Sequence, residues 1–311
     1  MSRGSVSPSA TPERKLGKSS VVATSIPRIS TPMLGWFRWY ISRMFRKSFH
    51  SVCLSRSSFV GTEELSEANT FRNILVFANH CSWWDPLIAI HLGHKIFGKF
   101  QHFSPIDAAA LEKYRIFKRL GFYPVDRESR RGAVDFLRLS DEILSKEKNC
   151  LWVTPEGKFA DARNHGNRFE PGISHLAVRN SKVTFLPLAI EVSFWEEKLP
   201  EIFCRFGPPV TAIAGSSKEI WNQQLEVALR ANQAELARQV ISRNEDFFQI
   251  MLSGKSGVSP VYDFFRRLGG WFSGSSIEVG HGTKLSSLHD LKKTNSDSPA
   301  LDPRSDEGEL R

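Results

Sequence analysis

The chain has 311 residues, 41% of them hydrophobic, and carries a formal net charge of +9 from 42 basic and 33 acidic residues. Its longest apolar stretches, around 74–77 and 183–195, fall short of the roughly 20 apolar residues that a spanning helix needs, which excludes a polytopic membrane protein. Four cysteines (Cys53, Cys81, Cys150, Cys204) lie far apart with no CxxC pair, so neither a disulfide framework nor a zinc knuckle is expected, and a reducing compartment is the default.

The charge is uneven. Residues 1–56 hold ten basic side chains and one acid, Glu13, which is the whole excess; the other 32 basic and 32 acidic residues cancel. The body is therefore not a nucleic-acid binder, and the positive field belongs to an N-terminal appendage. Residues 1–31 are rich in Ser, Thr and Pro and too poor in large apolars to offset ordering entropy, which predicts disorder. They also have the composition of a transit peptide, the less favoured alternative. Residues 32–56 are acid-free and crowded with aromatics. On a helical wheel Tyr40, Met44, Phe37, Ile41, Val52 and Phe45 share one arc, with Ser42, Arg46, His50 and Arg43 opposite and Trp36 and Trp39 near the boundary. Such a basic amphipathic helix suits an anionic membrane surface; the alternative is a helix packed on the protein's own core.

Strand and helix patterns then alternate. Strands are predicted at 73–79, 122–125, 150–154, 183–192 and 202–206, and helices at 85–92, 107–120, 132–144 and 172–179. Ser216 is predicted to open a further long helix through a capping box with Glu219. This predicts an α/β domain over 57–252, with a mixed, largely parallel central sheet flanked by helices. A second aromatic-basic stretch, YDFFRRLGGWF, lies within a short segment at 253–273, and 274–311 reads as a disordered tail.

The most informative stretch is Asn79-His80-Cys81-Ser82-Trp83-Trp84-Asp85-Pro86. On one helix, residues five apart point about 140° from each other, but across a strand-to-helix turn His80 and Asp85 can meet. Asp85 would then hold one imidazole nitrogen and leave the other as a base. No GxSxG or other nucleophile motif accompanies them, so the hydroxyl that His80 activates would belong to a substrate. The alternatives are that Asp85-Pro86 is a helix cap and that His80 is a satisfied buried histidine. Trp83 and Trp84 would pack as core rather than line a substrate groove, and Cys81 would project away from the chemistry. His91 and His94 lack a third ligand, so no metal is expected.

His80 and Asp85, in the context NHCSWWD, resemble the first motif of the glycerolipid acyltransferases, the family of bacterial 1-acylglycerol-3-phosphate acyltransferase. Gly121-Phe122-Tyr123-Pro124-Val125-Asp126-Arg127 resembles the second, whose arginine is associated with the acceptor's phosphate. Pro155-Glu156-Gly157 resembles the third, and Leu186-Pro187-Leu188-Ala189 the fourth; Phe206-Gly207-Pro208-Pro209 follows. The third block departs from the family's Glu-Gly-Thr-Arg, since Lys158-Phe159 follows Gly157. Lys158, Arg163 or Arg168 would have to supply the missing charge, and a lysine does not grip a phosphate as a planar guanidinium does. Acceptors without a phosphate therefore come into question.

The resemblance implies transfer of a fatty acyl group from acyl-CoA or acyl carrier protein to a hydroxyl of a glycerol-phosphate-type or other lysolipid acceptor. His80 would be general base, oriented by Asp85, and Arg127, Glu156, Gly157 and Lys158 would bind substrate. Backbone N–H groups after Asp85 or around Glu156-Gly157 would take the oxyanion. No cofactor is implied. The expected location is peripheral, on the cytoplasmic face of a membrane bearing anionic lipids. An inactive membrane- or partner-binding module on the same scaffold, and a lipid or thioester hydrolase, are the competing readings.

Overall fold

Apolar runs that do not alternate with polar residues form strands buried on both faces. The computed structural model describes residues 25–61, 71–211 and 215–254, all within the first of two units, Met1–Gly257. Helix α1 (Thr31–Ser48) leads into β1 (Ser51–Ser55) and, after residues 62–70, β2 (Asn73–Ala78). Then follow α2 (Asp85–Ile96), β3 (Gln101–Asp107), α3 (Ala108–Lys113), a 3-10 turn (Arg115–Leu120), β4 (Phe122–Val125), α4 (Arg130–Ser145) and β5 (Asn149–Val153). The remainder is α5 (Gly172–Arg179), β6 (Val183–Ser193), β7 (Glu201–Phe206), α6 (Lys218–Ser242), a 3-10 turn (Glu245–Phe247) and β8 (Phe248–Ser253).

Among the described residues the strands form one eight-stranded sheet in the order β4-β3-β5-β2-β6-β7-β1-β8. Strands β2 to β6 are mutually parallel. Strand β7 runs against β6, β1 runs parallel to β7, and β8 runs against β1. The fold is thus α/β with a mixed, largely parallel sheet, as the sequence predicts. Alternate residues of β2 feed two cores: Ile74, Val76 and Ala78 join one with α1 and α2, and Leu75 and Phe77 join another with α4, α5 and α6. Each large apolar side chain so buried contributes roughly 1.5–3 kcal/mol.

Several expectations need correction. The segment 32–56 is not one helix: α1 ends at Ser48, and Val52 lies in β1, a fully buried strand inside the sheet. In α1, Phe37, Ile41 and Phe45 pack on the core, while Tyr40, placed with them on the wheel, is exposed. Residues 25–30 belong to the fold as well: Ile26 and Ile29 pack against a core, and Ser30 N–H donates to Arg119 O at 2.9 Å. The long helix is capped by Ser217 rather than Ser216, its Oγ accepting from Ile220 N at 3.4 Å. The helix predicted at 107–120 breaks at Tyr114 into α3 and the 3-10 turn. Strands β1, β3 and β8 were not anticipated. The predicted segment at 253–273 keeps only Ser253 and Gly254 among the described residues, and the predicted tail lies outside them.

Candidate active site

Parallel strands deliver their carboxyl ends, and the loops that follow them, to one edge of the sheet, where α/β folds place their sites. Strand β2 ends at Ala78, and the Asn79 side chain continues its ladder. Asn79 Nδ2 donates to Ile190 O at 2.9 Å, and Ile190 N donates to Asn79 Oδ1 at 2.8 Å. This fixes where His80 leaves the sheet. The chain turns through Ser82–Trp84 and α2 starts at Asp85 with Pro86 in its first turn. The helix has no side-chain cap. The Asp85 carboxylate instead faces back: Oδ2 meets His80 Nδ1 at 2.7 Å and accepts from Ser82 N at 3.1 Å, and Oδ1 accepts from Ser82 Oγ at 3.0 Å. The Asp85 side chain is 4% exposed and that of His80 20%. With Nδ1 donating to the carboxylate, Nε2 carries the lone pair, and it has no hydrogen-bond partner among the described residues.

The next strands bring the cations. Arg127 follows β4 in a loop held by Asp126 Oδ1, which accepts from Glu128 N at 3.1 Å, and by close packing of Gly132, where a Cβ would sit 1.9 Å from Asp126 O. Arg127 is exposed and forms no ion pair with Glu128. Strand β5 leads into Pro155-Glu156-Gly157. Gly157 has φ +65°, and a Cβ there would lie 2.8 Å from Arg127 Nη2, so the guanidinium lies directly over its backbone. Two residues on, the Phe159 ring lies on the His80 imidazole, with centroids 4.1 Å apart and planes tilted by 33°, and Ala160 N donates to His80 O at 2.9 Å. This one loop thus touches both His80 and Arg127.

A histidine held by a carboxylate, an open imidazole nitrogen and a nearby free guanidinium suit acid–base transfer of a group onto an acidic acceptor. Residues 59–191 match the protein-family model for acyltransferases, described simply as Acyltransferase. The matched stretch contains His80, Asp85, Arg127 and Glu156. Among solved structures it resembles the 1-acyl-sn-glycerophosphate (LPA) acyltransferase PlsC from Thermotoga maritima, at 17% identity and a TM-score of 0.46, covering 66% of this chain and 79% of that one. No curated protein matches the chain.

Within the matched stretch the expected residues do not all keep the expected partners. Glu156 reaches neither Arg127 nor the surface. It is buried and bonded to Arg230 of α6 at 2.5 Å, with Oε2 unpartnered among the described residues. Arg230 also bonds Gln233 Oε1 at 2.7 Å and the carbonyl of Asn167, so α6 holds the loop after β5 from behind. Arg163, one of the substitutes considered for the missing arginine, is tied to Glu191 at the end of β6. Lys158 and Arg168 are exposed. Of the N–H groups considered for the oxyanion, Gly157 N bonds Thr154 O at 3.1 Å and, after Asp85, Leu87 N bonds Trp84 O at 2.9 Å.

Cys81 does not point away. Its Sγ donates to Asp85 Oδ1 at 3.5 Å, and burial with the neighbouring carboxylate pushes its thiol pKa well up. The two tryptophans divide: Trp84 packs on Phe45 and Phe49, while Trp83 is 60% exposed and lies on Trp84. Asn79 and Arg230 went unnoticed in the sequence. Arg230 gave no local signal, because it stands 74 residues from its partner; a helix that buries Asn232, Gln233 and Gln239 was the available hint.

Proposed function

We propose that the chain moves a fatty acyl group from an acyl thioester, acyl-CoA or acyl carrier protein, to a hydroxyl of a glycerol-phosphate-type or other lysolipid acceptor. The observation that carries this reading is the His80 Nδ1–Asp85 Oδ2 contact of 2.7 Å at the carboxyl end of β2. Asp85 fixes the tautomer and stabilises the imidazolium. His80 Nε2 takes the hydroxyl proton as the oxygen attacks the thioester carbonyl, and the proton passes to the leaving thiol. Arg127 binds an acidic group of the acceptor, and Lys158 adds charge on the same loop. Glu156 acts by holding Gly157 beneath Arg127, through Arg230, rather than by touching the acceptor.

We place the acceptor at a membrane surface. No helix of the described residues is long and apolar enough to cross a bilayer. The exposed face of α1 carries Trp36, Trp39 and Tyr40 in its first half and Arg43, Arg46 and Lys47 in its second. Indoles at the headgroup level and bases beside anionic lipids are the pairing that such a face offers.

The test is His80→Ala in the full chain, assayed with radiolabelled acyl-CoA and acyl carrier protein against a lysolipid panel. A lost general base lowers turnover by about 10²–10⁴-fold, in a variant that still folds. Normal turnover in the variant removes His80 from the mechanism. Free fatty acid as the sole product of the unaltered chain would make it a hydrolase.

A further inference from the structure

Phe159 is 61% exposed, yet its ring is not idle at the surface: it lies on the imidazole of His80. The loop is pinned on both sides of it. Gly157 N bonds Thr154 O at 3.1 Å before it, and Ala160 N bonds His80 O at 2.9 Å after it. The ring therefore cannot drift far from His80 while the loop holds. Asp85 grips the imidazole at Nδ1, and the Phe159 ring lies against the imidazole; only a fifth of the His80 side chain stays open.

From this geometry we infer that Phe159 is a positioning residue that holds the imidazole plane and screens it from water, so that the acyl group goes to the bound alcohol rather than to solvent. The inference rests on His80 being the base. In transfer, the acceptor oxygen bonds to the thioester carbonyl carbon, its proton moves to Nε2, the C–S bond breaks and the thiolate leaves with that proton. Water in place of the alcohol follows the same steps and yields free fatty acid. An aromatic ring over the imidazole leaves a bulky alcohol its approach to Nε2 and removes one approach for water.

The test compares Phe159→Ala and Phe159→Tyr with the unaltered full chain and with His80→Ala. Each is given radiolabelled acyl-CoA and a lysolipid panel, and acylated lipid and free fatty acid are counted separately. Because the ring is exposed, the alanine variant keeps its thermal midpoint. Its transfer kcat falls about tenfold, as a base loses its fixed orientation. The free-acid share of the thioester consumed at least about doubles, as an aromatic contact that orders the site is lost, and tyrosine restores both. An unchanged free-acid share in Phe159→Ala, whatever its rate, overturns the inference while His80 stands. Thioester consumption by His80→Ala at the unaltered rate overturns both.

Discussion

At the scale of single residues, the loop after β5 turns on a glycine whose missing Cβ leaves room for the Arg127 guanidinium. Gly157 takes φ +65°, a conformation that costs an L-residue on the order of 1 kcal/mol, and Arg127 Nη2 occupies the space of a Cβ. Gly157→Ala therefore displaces the guanidinium, which has no ion pair of its own among the described residues. Loss of one well-formed charge-assisted contact to an acidic acceptor raises KM for that acceptor by about tenfold, with KM for the thioester unchanged. Steady-state kinetics with each substrate varied in turn checks this; an equal rise for both would place Arg127 away from the acceptor. His80, Asp85 and Arg127 could be picked out in the sequence because each stands in a short block next to a strand end. Glu156 was visible, with a structural hydrogen-bonding role among its readings, but its partner was not, because Arg230 comes from a helix far along the chain. Phe159 was visible only as a departure from a pattern. That its ring lies on His80 follows from the turn at Gly157, which no local spacing encodes.

At the scale of elements, the strands that were legible are those buried on both faces. Runs such as NILVFA in β2 and NCLWV in β5 have no polar side to disguise them. Strand β3, QHFSPID, is mostly half-exposed and contains a proline. Strand β1 is hidden because its SVCLS continues an aromatic-basic run without a break, and β8 pairs only at the edge. The correction matters for experiment. Deleting 33–56 would pull β1 from between β7 and β8, so the membrane reading has to be tested by substitution on the exposed face of α1. Replacing Arg43, Arg46 and Lys47 by glutamine leaves Phe37, Ile41 and Phe45 seated in the core. At about 1 kcal/mol for each base near an anionic surface, the triple variant binds anionic vesicles roughly 100-fold more weakly at low salt. Its binding to zwitterionic vesicles is unaltered. Co-sedimentation across salt concentrations measures both; equal binding by both proteins to anionic vesicles rules out contact through this face.

At the scale of the whole molecule, α1 and α2 pack on the sheet through an apolar cluster, and two imidazoles, one in α2 and one in β3, are kept neutral by burial. His91 of α2 lies edge-on against Phe45 of α1, with Nε2 unpartnered among the described residues. His102 of β3 accepts from Trp152 Nε1 at Nδ1, 3.1 Å away, and its Nε2 faces Phe97 O at 3.2 Å. Burial, with positive neighbours adding to it, lowers both to a pKa of about 4 from the ordinary value near 6.5. Between those values the unfolded chain takes up protons that the folded chain refuses. Stability therefore falls as pH drops from about 6.5 towards 4, by up to about 1.4 kcal/mol per pH unit for each imidazole. Glu201, whose pKa burial raises, works the other way, so the clean measurement is a difference. His91→Leu fills a similar volume and removes both the titrating ring and its unpaired nitrogen. Urea midpoints of the two proteins at pH 7.5, 6, 5 and 4.5 then diverge, the variant losing less stability with each step into acid. Parallel curves would mean that His91 is protonated within the fold and that the contact with Phe45 survives its charge.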